Sequence, residues 1–173
     1  VRFETSIATL DPSLKVLAPV REWDLGMRPD EIAYAKAHGV PVAQSIEKPY
    51  SIDDNLWGRA IEAGVLENPW NEPPADIWTM TVDPALAPDE AAYVEIGFTA
   101  GVPTSLDGEQ LSVAELVAKL NVIAGANGYG RIDMIENRYV GLKSRECYEV
   151  PAGLALIAAH KALEDLCLER DVL

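Results

Sequence analysis

Proline has no amide hydrogen and holds φ near about −65°, so it collects where helices and strands start or stop. This chain carries 12 prolines in 173 residues, and their positions cut it into short elements. Up to Pro49 the rhythm alternates. Lys15-Val16-Leu17-Ala18 is a brief apolar run stopped by Pro19, and it reads as a buried strand. Pro29-Asp30-Glu31 opens a helix, with proline near its first position and acids in its first turn. Ile32, Ala35 and Lys36 continue it, and His38 followed by Gly39 suits its end. Val40-Pro41-Val42 then reads as extended. Strand, helix and strand within about thirty residues is the rhythm of an α/β unit.

Pro49 breaks that rhythm. Ser51-Ile52-Asp53-Asp54 has the spacing of a capping box, which predicts a helix from Ser51 to Gly64. Two loops follow, one from Glu67 to Pro74 and one around Asp83 to Pro88. Val94, Ile96 and Phe98 alternate with polar or small residues and predict a half-exposed strand. Ala100-Gly101 turns it, and Val102 to Leu106 returns as the second arm of a hairpin ending at Asp107-Gly108. Ser112-Val113-Ala114-Glu115 is a second capping box, followed by Val113, Leu116, Val117, Leu120 and Ala124 at helical spacing. Asn127-Gly128 ends that helix. Ile132 with Met134, and the run Tyr139 to Leu142, predict two more strands. Pro151 starts a last helix through Leu154, Ala158, Ala162 and Leu166. Hairpins with segregated helices make this part α+β. The reading is therefore α/β, then α+β, in two domains, 1–47 and 48–173.

Charge excludes several functions. Lys and Arg total 14 and Asp and Glu 28, a formal net charge of −14. Such a surface repels phosphate backbones, so no nucleic-acid partner is expected. With 49% hydrophobic residues the chain is not a disordered acidic tail. Its longest apolar run, Leu154 to Ala159, is far short of the ~18 residues of a membrane helix. Cys147 and Cys167 form no C-x-x-C pair, and only His38 and His160 could join them as soft ligands. Neither a zinc site nor a disulfide framework is expected; two reduced thiols in a cytoplasmic protein are. The chain opens on Val1 without a signal-peptide pattern, which fits loss of a Met, a cleaved leader or a piece of a longer protein.

Few segments suggest chemistry. Gly125, Gly128 and Gly130 follow a helix and precede a strand, the reverse of both phosphate-binding glycine motifs, so they read as a turn. No G-x-S-x-G, H-E-x-x-H or P-loop occurs. His38 and His160 both read as structural helix residues. The exception is RIDMIENRYVGLKSRECYE, Arg131 to Glu149. It interleaves Arg131, Arg138, Lys143 and Arg145 with Asp133, Glu136, Glu146 and Glu149, and adds Tyr139 and Tyr148. Guanidinium forks pair with carboxylates and a carboxylate pairs with an amino group, so the mixture suits a zwitterionic ligand. A charged hairpin solvated on one face accounts for the same composition.

Three strings carry a resemblance. VRFETSIATLDPSLKVLAPVREWDL, PYSIDDNLWGRAIEAGVLENPWNEPP and GYGRIDMIENRYVGLKSRECYEVPAG resemble the argininosuccinate synthase family, in order and across essentially the whole chain. The resemblance implies the end of a nucleotide-binding α/β domain, then an incomplete synthetase domain. It implies an ATP- and Mg2+-dependent ligation of citrulline to aspartate in arginine biosynthesis and the urea cycle, by a cytoplasmic homotetramer with no membrane attachment. The family's pyrophosphatase loop, a Ser-Gly-Gly-Leu-Asp run, and a second glycine-rich segment would lie upstream of Val1. An oligomerisation helix would lie downstream of Leu173. These 173 residues by themselves are therefore expected to be inactive. Arg2, Ser51, Glu136 and Tyr148 match the family's citrulline-binding positions and are expected to converge on one concavity. Ala60 stands where the family usually has Ser, so one contact is missing. No metal ligand, nucleotide-binding residue or covalent catalytic residue is implied within this chain. The alternative is a non-catalytic module that keeps an amino-acid pocket or an assembly surface.

Overall fold

The protein is described here by a computed structural model covering residues 2–41, 50–139 and 141–173. The chain divides into two compact units, Val1–Lys48 and Pro49–Leu173.

In the first unit the described residues hold two α-helices and a short 3-10 turn, Pro19–Arg21. Helix α1 (Arg2–Leu10) was not foreseen, and α2 (Arg28–Ala37) was. The α2 prediction holds in detail: proline in the first turn, Asp30 and Glu31 beside it, His38 as the C-cap, and Gly39 at φ +65°. That left-handed angle costs glycine little, which is why the helix stops there. Arg21 grips Glu4 through both guanidinium arms, at 2.6 and 2.9 Å. The expected strand at Lys15–Ala18 is absent. Asp11 instead caps a turn by accepting from the Ser13 amide (2.9 Å) and hydroxyl (2.6 Å), and Leu17 is 78% exposed. A buried strand needs a ladder partner and a core, and among the described residues this unit supplies neither. Among its described residues the one buried hydrophobic is Ala35. Val42 and Pro49, on which the expected second strand and the boundary rested, lie outside the described residues.

The second unit is α+β. Its larger sheet has the order β1-β2-β7-β6, antiparallel throughout: β1 (Ser51–Asp54), β2 (Arg59–Glu62), β6 (Arg131–Asn137) and β7 (Lys143–Glu149). Its smaller sheet runs β3 (Ile96–Thr99), β4 (Val102–Leu106) and β5 (Glu109–Gln110). Helix α3 (Val113–Ala126) has its capping box formed in both directions, and α4 (Pro151–Cys167) starts on the expected proline. Two cores result. Leu106, Leu116, Val117, Leu120, Ala152 and Leu156 join the smaller sheet to α3 and α4. Ile61, Leu66, Ile77 and Cys147 lie under the larger one. Asn121 ties them, donating to the Leu56 carbonyl (2.8 Å) and accepting from the Ala152 amide (2.9 Å).

Two expectations fail here. Ser51 to Gly64 is a hairpin, not a helix. Asn55 accepts from the Trp57 amide at 2.9 Å and closes the turn onto the Gly58 carbonyl at 3.1 Å. A local capping signal is weak against burial, and Ile61, fully buried in β2 against Cys147, decides the conformation. Gly58 is required there, because a Cβ would collide with the Glu149 carbonyl oxygen. Likewise Tyr139, Gly141 and Leu142 are not in a strand, and Val140 lies outside the described residues. The Arg138 amide donates to the Leu142 carbonyl (3.0 Å), and Gly141 turns the chain at φ +85°, so the second strand begins at Lys143. Among the described residues no helix is long and apolar enough to cross a membrane, and no cluster of three metal-ligating side chains occurs.

Candidate functional site

A strand points successive side chains to opposite faces, so the register of the larger sheet sorts its residues into two sets. Tyr148 pairs with Ala60 and Ile132, Glu146 with Met134, and Ser144 with Glu136. Across the other edge Ala60 pairs with Asp53 and Glu62 with Ser51. Ser51, Asp53, Ala60, Glu62, Glu136, Ser144, Glu146 and Tyr148 therefore share one face. Arg59, Ile61, Arg145, Cys147, Glu149, Arg131 and Asp133 share the other.

The second face is sealed over β2 and the end of β7, while Asp54, Asp133 and Ile135 toward its edges stay exposed. Glu149 is fully buried, and its carboxylate accepts from the amides of Thr79 (2.9 Å), Met80 (2.9 Å) and Thr81 (3.0 Å), from the Thr81 hydroxyl (2.7 Å) and from Arg59 (2.8 Å). Burial alone would raise its pKa; these donors outweigh burial and hold it below the ordinary carboxylate value. Arg131 lies over the Trp78 ring and donates to Thr81 Oγ1 and the Thr81 carbonyl. Arg145 grips Asp133 and reaches the Pro69 and Asn71 carbonyls. The Cys147 thiol, pushed up to about 12 by burial, is inert as a nucleophile. This face is structural.

The first face is half open and differently charged. Arg138, just past the end of β6, donates to Glu62 (2.6 Å), Glu146 (2.5 Å) and Ser144 Oγ (3.0 Å), and lies 3.6 Å from Glu136. Glu146 also accepts from Ser144 (2.9 Å) and from the Tyr148 hydroxyl (3.2 Å). Burial presses the Glu146 pKa upward, and the hydrogen bonds from Arg138, Ser144 and Tyr148 turn it downward. Glu136 moves the other way, raised chiefly by the Glu146 charge. The Tyr148 hydroxyl is pushed up to about 12 by burial and by the carboxylates beside it, so it stays protonated and able to donate. Three carboxylates against one guanidinium leave net negative charge on a partly exposed surface, suited to a ligand's amino group.

The sheet thus brings Ser51, Glu136 and Tyr148 onto one face, with Ala60 between the strands that carry them. Ser51 is a strand residue, so its expected capping role does not exist. Arg2 opens α1 in the other unit, and its side chain is outside the described residues. Sequence reading missed Glu62 and Ser144 altogether, and named Glu146 and Arg138 only as members of a charged segment. Their signal was the two-residue alternation from Ser144 through Glu146 to Tyr148. It becomes readable once β7 is known to start at Lys143.

Comparison with known proteins agrees along the whole chain. Residues 50–173 match the family model described as Arginosuccinate synthase C-terminal domain, and residues 1–41 match Arginosuccinate synthase N-terminal HUP domain. The argininosuccinate synthase of Streptococcus gordonii is 59% identical over 172 residues, covering 99% of this chain and 43% of that protein. That of Streptococcus thermophilus is 58% identical over 172 residues, with the same coverage. That of Rubrobacter xylanophilus is 57% identical over 173 residues, covering 100% of this chain and 42% of that protein. The chain spans less than half the length of these relatives. With a family model covering most of its residues and identities near 60% along its length, the chain belongs to the argininosuccinate synthase family.

Proposed function

We propose that the protein containing this chain joins citrulline to aspartate at the expense of ATP, as an argininosuccinate synthase of arginine biosynthesis. The ureido oxygen of citrulline attacks the α-phosphate and pyrophosphate leaves; the aspartate amine then attacks the citrulline-adenylate carbon and AMP departs. Magnesium enters with ATP as part of the substrate. Residues 1–47 contribute the end of the nucleotide-binding domain and 48–173 part of the synthetase domain. Ser51, Glu136 and Tyr148, with Arg2 from the first domain, hold citrulline. Ala60 leaves out one hydrogen bond. The protein acts by positioning and electrostatics, with no covalent intermediate on the chain. It works in the cytoplasm as a homotetramer, free of nucleic acid and membrane.

The observation that carries this reading is the 59% identity over 172 residues to a protein named argininosuccinate synthase. The surplus of carboxylates around Arg138 supports the amino-acid end of it, since Glu136 has accepting capacity left for an ammonium group. The test is a coupled assay on the full-length protein with ATP, magnesium, citrulline and aspartate. Over many turnovers pyrophosphate and argininosuccinate should accumulate in equal amounts and only with both amino acids present, while citrulline without aspartate should release at most one pyrophosphate per site. Citrulline binding with no pyrophosphate release would sink the ligase reading.

A further inference from the structure

Arg138 is arranged in a way that binding to Glu136 does not explain. Its short contacts go to Glu62 at 2.6 Å and Glu146 at 2.5 Å, and its Nε donates to Ser144 at 3.0 Å. Glu136 stands off at 3.6 Å without a hydrogen bond from the guanidinium. Both short carboxylate bonds come from one terminal nitrogen, Nη2, which is thereby taken up by Glu62 and Glu146. The charged and titratable groups on this face are Asp53 from β1, Glu62 from β2, Glu146 and Tyr148 from β7, and Glu136 and Arg138 from β6 and its end. Arg138 is the one cation among them. Glu136 already meets Glu146 in a carboxyl–carboxyl hydrogen bond; remove Arg138, and the two, on neighbouring strands, hold a shared proton more tightly. A protonated pair no longer presents a full charge to an ammonium group.

We propose that Arg138 is a positioning residue: by engaging Glu62 and Glu146 it keeps Glu136 available to receive the amino group of the ligand. This rests on the reading of Glu136 as a citrulline-binding residue. The upward pull of Glu146 on Glu136, with Arg138 acting against it, runs in the same direction.

The experiment is steady-state kinetics of the full-length protein with citrulline varied across the acid limb of its pH profile. In Arg138→Met the citrulline KM at neutral pH rises about tenfold, the loss of one charge-assisted contact. The ATP KM stays within about twofold, and the acid limb of kcat/KM for citrulline moves up by about one pH unit, because Glu136 then holds its proton more tightly. Arg138→Lys returns the charge without the fork, so the limb moves back while the citrulline KM stays raised. An unmoved limb, with kcat falling alike for every substrate, makes Arg138 a structural residue and overturns the proposal. Should Arg138→Met not fold, Arg138→Lys decides alone: an unchanged citrulline KM overturns it. Glu136→Gln separates the two layers. If it leaves the citrulline KM unchanged, the assignment of Glu136 falls and the proposal with it. If it raises that KM while Arg138→Met leaves the limb in place, only the role of Arg138 is lost.

Discussion

Glu146 and Glu149 lie three residues apart on β7, both buried, both bound to arginine, and on opposite faces of one sheet. What separates them is where their donors come from. Glu149 is satisfied by three backbone amides, a threonine and Arg59, so it pins residues 79–81 under the sheet. Glu146 is satisfied only by side chains, and it shares its arginine with Glu62 and Glu136, which are about two-fifths exposed. A carboxylate closed by backbone holds a fold. One closed by shared side chains leaves charge over, and a ligand can answer it.

That contrast can be broken most forcefully at Glu149. Glu149→Ala should lower stability by ~3–5 kcal/mol, because it takes the buried carboxylate partner from Arg59 and the shared acceptor from three amides and the Thr81 hydroxyl. Urea unfolding of the variant checks this, and a loss below ~1 kcal/mol would contradict the sealed-face account. Acid should then separate the faces. The Glu149 pKa is lowered by folding from an ordinary 4.5, so its contribution is complete above that value and fades as pH drops through the depressed one. Glu136, raised by folding, works in the reverse sense and opposes stability once ionised. Unfolding midpoints followed below pH 4.5 should fall in the wild type and fall less in Glu149→Gln. A parallel fall in both would assign the acid sensitivity elsewhere. On the open face, Ala60→Ser should lower the citrulline KM by a factor of roughly 2–12, the value of one neutral hydrogen bond at ~0.5–1.5 kcal/mol, and leave the ATP KM alone. An unchanged or raised citrulline KM removes this position from the site. The smallest effect belongs to Glu62→Gln, whose exposed ion pair should change stability by about 0.5 kcal/mol or less. A larger loss in thermal unfolding would show that the open face also holds the fold.

Elements with strong local signals were legible in the sequence. The Ser112 capping box, the Pro151 start and the Gly39 stop are short-range effects, and each appears where the residues predict it. Ser51–Gly64 was misread because the same local grammar met a long-range force: β2 is paired with a strand about ninety positions away, as the Arg59–Glu149 contact spans. Lys15–Ala18 was misread for the opposite reason, an apolar run with nothing among the described residues of its own unit to bury it. The candidate site was half legible. Ser51, Glu136 and Tyr148 came from a resemblance in their surrounding strings. Glu62 and Ser144 needed the register, which no local pattern states.

One consequence of β7 concerns how this chain can change over generations. Its odd and even positions carry different duties, Arg145, Cys147 and Glu149 toward the sealed side and Ser144, Glu146 and Tyr148 toward the open one. Losing a single codon inside the strand would swap the two sets at once, pushing Glu149 out and a tyrosine in. The tip beyond Arg138, at Tyr139, Gly141 and Leu142, with Tyr139 wholly exposed, has no such constraint. Insertions and deletions in this hairpin should therefore gather at the tip, while β7 accepts substitution but never a change of length.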